Sequence, residues 1–177
     1  MKLMSEGTKS YLFGCHHFIL HPYSVLKAWR KEYKSWPTWW ELICILLHDI
    51  GICGREYLSD GKAKRGHWEK GADLSFNVIL LLAPRRRQFY LAYRAYIFCA
   101  GHCPSESDYT MSRLYRADKK SWLEAPMWWL RSNARIEKFV ISAEEWVAIV
   151  RKQLEHKGYN GDGAHSMYMN IRSLKNE

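Results

Sequence analysis

Six residues of this 177-residue chain combine a side chain that can hold a metal ion with a place at or near the end of an expected helix: His21, His48, Asp49, His67, His102 and Asp118. His48 and Asp49 close an otherwise apolar stretch, ELICILLHDIG. Burying an imidazole and a carboxylate there costs desolvation unless something pairs them. A capped helix end would do so, with the aspartate bonded to a loop and the histidine to a backbone carbonyl. A metal site would do so too, and the pair has company. His21 opens the preceding helical stretch, His67 opens the next, His102 follows the one after, and Asp118 lies in YRADK. Imidazole and carboxylate suit a divalent first-row ion, and a catalytic ion needs several protein ligands plus an open position for water. His21, His48, Asp49 and Asp118 can supply one ion. His67 and His102 can complete a second, with Asp49 bridging. Two ions roughly 3.5–4 Å apart are the usual arrangement for phosphate-ester hydrolysis, and His48 and Asp49 are then the catalytic centre. No serine or cysteine stands in a recognisable nucleophile motif, which leaves water as the nucleophile.

Helices must bring these residues together. Pro22 suits a first turn, because its missing N–H had no helical partner, and Val25, Leu26, Ala28 and Trp29 follow at helical spacing. Ser35-Trp36-Pro37 breaks that helix. A second is expected over 38–49, with Thr38 and Glu41 forming a capping box and Gly51 ending it. The segment 51–66 reads as a glycine-rich, charged loop. Further helices are expected over 68–82, stopped by Pro84, and over 86–100, stopped by Gly101. A polar loop follows over 104–109, then shorter helices over 111–121 and 126–133 and a longer one over 143–156. The tail 158–164 is rich in glycine and aspartate and reads as loose. No run alternates as a strand would, so the expected fold class is all-α, in a single domain.

Composition narrows the function classes. Hydrophobic residues make up 47% and charged residues 25%, an ordinary globular balance that excludes a collagen-like or disordered chain. The longest apolar runs fall far short of the roughly 20 residues that cross a bilayer, and no apolar h-region follows the N-terminal lysines. A cytoplasmic location and no membrane partner are therefore expected. The net charge of +9 favours anionic partners, whether nucleotides, nucleic acid or anionic lipid, or else reflects a solvated surface. Five cysteines without a CxxC pair indicate neither a disulfide framework nor a thiolate zinc site. Cys44 and Cys99 read as small buried hydrophobes. Nine tryptophans, clustered in 36–40 and 122–129, are expected mostly in core or groove walls. His16 and His17 lie close enough to replace His21 as a ligand, but Pro22 and the Val25/Ala28 face favour His21. His102 also reads as a plain loop histidine, and His156 and His165 as exposed and inert.

The ordered series His21, His48-Asp49, Asp118 resembles the signature of the HD-domain metal-dependent phosphohydrolase superfamily. The flanks agree: His21-Pro22-Tyr23-Ser24-Val25 with Ala28, Leu46-Leu47-His48-Asp49-Ile50-Gly51, His67 followed by Gly71-Ala72, and Ala117-Asp118-Lys119. These segments span residues 16 to about 130. More narrowly, FGCHHFILHP with its following AW, the segment from Asp60-Gly61 to His67, and ADK are similar to short bacterial and phage HD proteins. Those often carry a glutamate before the third histidine and Ser-Arg after the fourth, where this chain has Arg65-Gly66 and Cys103-Pro104.

The resemblance implies an HD-like helical bundle with a metal site at converging helix ends. It further implies one or two divalent ions (Mn, Fe, Co, Ni, Mg or Zn), a bacterial or phage-infected cell, and hydrolysis of a phosphate ester or anhydride. A nucleotide or related compound is the expected substrate. Arg55, Lys62 and Arg65 on the loop 51–66, with Lys119, are the expected phosphate contacts. Two other functions share these ligand types: a di-iron HD-type oxygenase, and a non-catalytic HD module that binds nucleotide or nucleic acid.

Overall fold

The computed structural model describes residues 18–52, 66–137 and 141–155. The first helix, α1 (Leu20–Tyr33), buries His21, Ser24, Val25, Ala28 and Trp29 at spacings of three and four, one face of the helix. It stops where Lys34 turns left-handed and donates its N–H to Arg30. α2 (Trp39–Leu47) starts as its sequence predicts: the Glu41 carboxylate accepts hydrogen bonds from the Thr38 N–H and hydroxyl, each at 2.8 Å. The helix is shorter than expected. His48 is its last cap, and tight turns follow, with the Ile50 N–H bonded to Leu47 and the Ile52 N–H to Asp49.

α3 (His67–Leu82) and α4 (Gln88–Ala100) form an antiparallel hairpin across the short Pro84 turn and make the most extensive helix contact. α2 packs across both, and α1 packs along α6 (Arg113–Glu124). Between α4 and α6 the expected polar loop holds one helical turn, α5 (Pro104–Ser107). Pro104 sits in its first turn, and the Ser107 hydroxyl ties it to the Ala100 carbonyl at 2.7 Å. α6 begins and ends later than the apolar spacing suggested, because Ser112 is still extended and Pro126 sets the end. α7 (Met127–Ile136) and α8 (Ala143–Glu155) complete the order. The described residues are all-α, with no strand among them, and none of their helices is long and apolar enough to cross a membrane.

Two apolar clusters hold these helices. The larger joins Val25, Trp29, Cys44, Ile45, Ile79, Phe98 and Leu114; the smaller joins Trp122, Trp129, Leu130 and Val150. Cys44 and Cys99 lie in the core as expected. The tryptophan clusters divide. Trp40, Trp122 and Trp129 are buried, whereas Trp36, Trp39 and Trp128 are exposed. Adjacent helical residues point about 100° apart, so one member of each Trp-Trp pair faces the core and its neighbour faces out. Trp36, in the turn between α1 and α2, is covered by the Arg30 guanidinium 4.0 Å from its ring.

Candidate metal centre

All six candidate ligands are buried, from His48 at 0% exposure to Asp49 at 8%. They come from five places: His21 in the first turn of α1, His48-Asp49 after α2, His67 at the start of α3, His102 after α4, and Asp118 within α6. Close backbone contact makes the convergence possible. A Cβ on Gly51 would lie 2.1 Å from the His67 carbonyl oxygen, and one on Gly71 would lie 2.2 Å from that of His48. Only glycine lets the His48–Gly51 turn rest directly on the first turn of α3.

The candidate ligand atoms fall into two groups that meet at one carboxylate. In the first, His21 Nε2 lies 3.3 Å from His48 Nε2, 3.0 Å from Asp49 Oδ2 and 3.3 Å from Asp118 Oδ1. His48 Nε2 lies 3.5 Å and 3.7 Å from the same two oxygens. In the second, Asp49 turns its other oxygen, Oδ1, toward His102 Nε2 at 3.4 Å and His67 Nε2 at 3.8 Å, and the two imidazole nitrogens are 3.3 Å apart. Asp49 therefore spans both groups, as its position in the sequence suggested.

These separations fit an ion. Bonds of about 2.0–2.2 Å put neighbouring donors about 2.8–3.6 Å apart in octahedral to tetrahedral shells, close to what is seen. The tautomers fit too. His48 Nδ1 faces the Ile45 carbonyl at 2.9 Å, and His102 Nδ1 faces the Cys99 carbonyl. Each Nδ1 must carry a proton to donate, which turns the Nε2 lone pair inward, as in histidines that ligate metals. Lone pairs held 3.3 Å apart repel unless a proton or a cation lies between them.

Without a cation, protons take its place. Burial alone would lower the His21 pKa, but hydrogen bonds to Asp118 and Asp49 and their charge outweigh it and raise it from 6.5 to about 9. Burial is likewise overcome at His102, which is raised well above 6.5 by Cys103 and Asp49. Asp49 and Asp118 are held well below 3.8 against their burial, Asp49 by the histidines and Asp118 by Lys119, His21 and His48. These buried groups could hold a metal ion.

Cys103 was not expected in the site. Its Sγ lies 3.3 Å from His67 Nε2, and it joins His67 and His102 as a third potential ligand. Burial would raise its thiol pKa, but the charge of His102 and hydrogen bonds to both histidines lower it to about 6. A cysteine beside histidines therefore does exist here, brought together by the fold and not by a sequence motif. The one signal was its position directly after His102. Glu106 was also missed; its Oε2 lies 3.7 Å from His67 Nδ1, beyond hydrogen-bond length but near enough to place a negative charge beside that ring. Trp122 walls the first group, its ring 6.3 Å from that of His21.

Lys119 lies at the rim with Nζ 3.1 Å from Asp118 Oδ2 and its side chain 32% exposed. The expected contacts Arg55, Lys62 and Arg65, and the rival histidines His16 and His17, lie outside the described residues. No family model, curated protein or solved structure matches the chain.

Proposed function

We propose that this chain is an HD-type metal-dependent phosphohydrolase that cleaves a phosphate ester or anhydride, with a nucleotide or related compound as substrate. The observation that carries the reading is the two-sided carboxylate of Asp49, with His21, His48 and Asp118 around one oxygen and His67 and His102 around the other. Such a carboxylate suits a pair of ions, and hard phosphoryl oxygens are the substrate groups that such a pair serves. When bound, divalent ions acidify water to near-neutral pKa and neutralise charge that develops on phosphoryl oxygens.

The protein's own residues prepare for that chemistry. The carbonyls of Ile45 and Cys99 orient His48 and His102, so little reorganisation is needed at the moment of reaction. Asp49 and Asp118 stay ionised and set the local charge. Lys119 places a part-exposed ammonium at the rim, where a phosphate can compete for it with Asp118. The excess of 27 basic over 18 acidic residues in the chain supports an anionic substrate. The ordered HD-like segments of the sequence support the same assignment, and a cytoplasmic setting is proposed with it.

The test is a metal-by-substrate screen. Protein stripped with chelator is reloaded with Mn²⁺, Fe²⁺, Co²⁺, Ni²⁺, Mg²⁺ or Zn²⁺ and given nucleoside mono-, di- and triphosphates, with released phosphate and dissolved O₂ followed together. Phosphate release that needs added metal supports the reading. Consumption of O₂ without phosphate release replaces it with an oxygenase, and nucleotide binding without turnover replaces it with a binding module.

A further inference from the structure

The two ligand groups are chemically unequal. The first is built of imidazole and carboxylate alone, whereas the second brings a sulfur to two imidazoles. Cys103 is held there by backbone. It caps α5, accepts the Glu106 and Ser107 N–H groups on its carbonyl, and donates its own N–H to Ala100, while the Ser112 N–H anchors the preceding Gly101. His102 and Cys103 are consecutive in this turn, and both reach His67 Nε2 at 3.3 Å.

The spacing can be compared with that of a thiolate site. A tetrahedral ion with N bonds of about 2.0–2.1 Å and an S bond of about 2.3 Å sets N···N near 3.3–3.4 Å and S···N near 3.6 Å. His67 and His102 meet the first distance, and Cys103 comes within a few tenths of an ångström of the second. Asp49 Oδ1 lies 3.4 and 3.8 Å from the two imidazoles, while the three atoms that fall together within one ion's reach are those of His67, His102 and Cys103. Thiolate selects softer ions such as Zn²⁺, Co²⁺ or Fe²⁺ over Mg²⁺ and Mn²⁺, while carboxylate-rich sites accept the harder ions.

We propose that Cys103 is a metal ligand and that the centre is a mixed pair, with a thiophilic ion on His67, His102 and Cys103 and a harder, more exchangeable ion on His21, His48 and Asp118. Asp49 is shared between them. The inference rests on the metal-dependent reading above and adds to it the identity of one ligand and the unlike character of the two ions.

The probe is Co²⁺ added to metal-free, full-length protein, read by absorption. Wild type should bind two ions and develop a near-ultraviolet sulfur-to-cobalt charge-transfer band with one of them. Cys103→Ser should lose that band and weaken one ion by more than the roughly 10–100-fold that losing an outer-shell partner costs, while keeping the other. On the wild type itself, bound Zn²⁺ should slow alkylation of Cys103 by iodoacetamide, located by mass spectrometry, and Mg²⁺ should not. Two bound Co²⁺ without a sulfur band, a band that persists in Cys103→Ser, or alkylation of Cys103 unaffected by Zn²⁺ would overturn the ligand role and leave the metal-dependent reading standing. No Co²⁺ binding at all would overturn both.

Discussion

Replacing Gly71 by alanine separates the packing that builds the centre from the ligands themselves. The new Cβ would sit 2.2 Å from the His48 carbonyl oxygen, against a floor near 3.0 Å for such contacts. The turn that carries His48 and Asp49 must therefore retreat from α3 by at least about 0.8 Å. Asp49 Oδ1, now 3.4 and 3.8 Å from the imidazoles of His102 and His67 on the α3/α4 side, cannot keep one ion in reach with them after such a shift, and a misplacement of about 1 Å can cost on the order of 100-fold in rate. The fold itself should survive. Alanine gains roughly 1 kcal/mol of helix propensity over glycine, which offsets part of the about 1–3 kcal/mol that overpacking costs. Circular dichroism and urea denaturation should show a helical protein destabilised by at most about 2 kcal/mol, while metal affinity by titration calorimetry falls at least tenfold. Wild-type affinity in this variant would refute the claim that the Gly71 contact sets the ligand geometry.

Other perturbations address single groups. Lys119→Ala should raise KM for phosphorylated substrates with kcat nearly unchanged, by about 1–2 kcal/mol, since the ammonium is part-exposed and its loss is partly screened; a fall in kcat alone would place Lys119 in the chemical step. Glu106→Gln should weaken the ion on His67 by about tenfold, because the negative charge beside the imidazole is lost, and should leave the other ion in place; metal counts after dialysis decide this. The raised pKa of His21 makes metal binding release protons, so affinity should climb as pH rises toward about 9, read as buffer-dependent binding heats. In the metal-free protein the sign is opposite: the stability His21 contributes is complete below pH 6.5 and is lost as pH rises through about 9.

Much of this was legible in the residues, and the gaps have physical reasons. Pro22, the Thr38/Glu41 pair, Pro84 and Gly101 mark helix ends by local backbone chemistry, and the ends fall close to them. Five of the six clustered residues were legible because each is a polar residue at or near the end of a helix, with few other ways to be satisfied, whereas Asp118 lies in the middle of α6 and stood out only through its ADK segment. Cys103 was not, because a lone thiol looks like a small hydrophobe until the α3/α4 hairpin sets His67 beside it, 36 residues away. The α5 turn was hidden for a similar reason: a proline and three polar residues give no periodicity, and their helix depends on Pro104 and on the Ser107 bond to Ala100. Which of two adjacent tryptophans faces inward is decided by packing alone.

The account turns on Asp49, whose two oxygens face the two ligand groups. Metal content of purified wild type and Asp49→Asn, measured by elemental analysis after loading and dialysis, tests it most directly. Asparagine keeps the size of the side chain but removes the charge and one of its two acceptor oxygens. Wild type should retain two divalent ions per chain, and the variant should lose most of both while its helical dichroism persists. Equal metal content in the two proteins would contradict the shared centre.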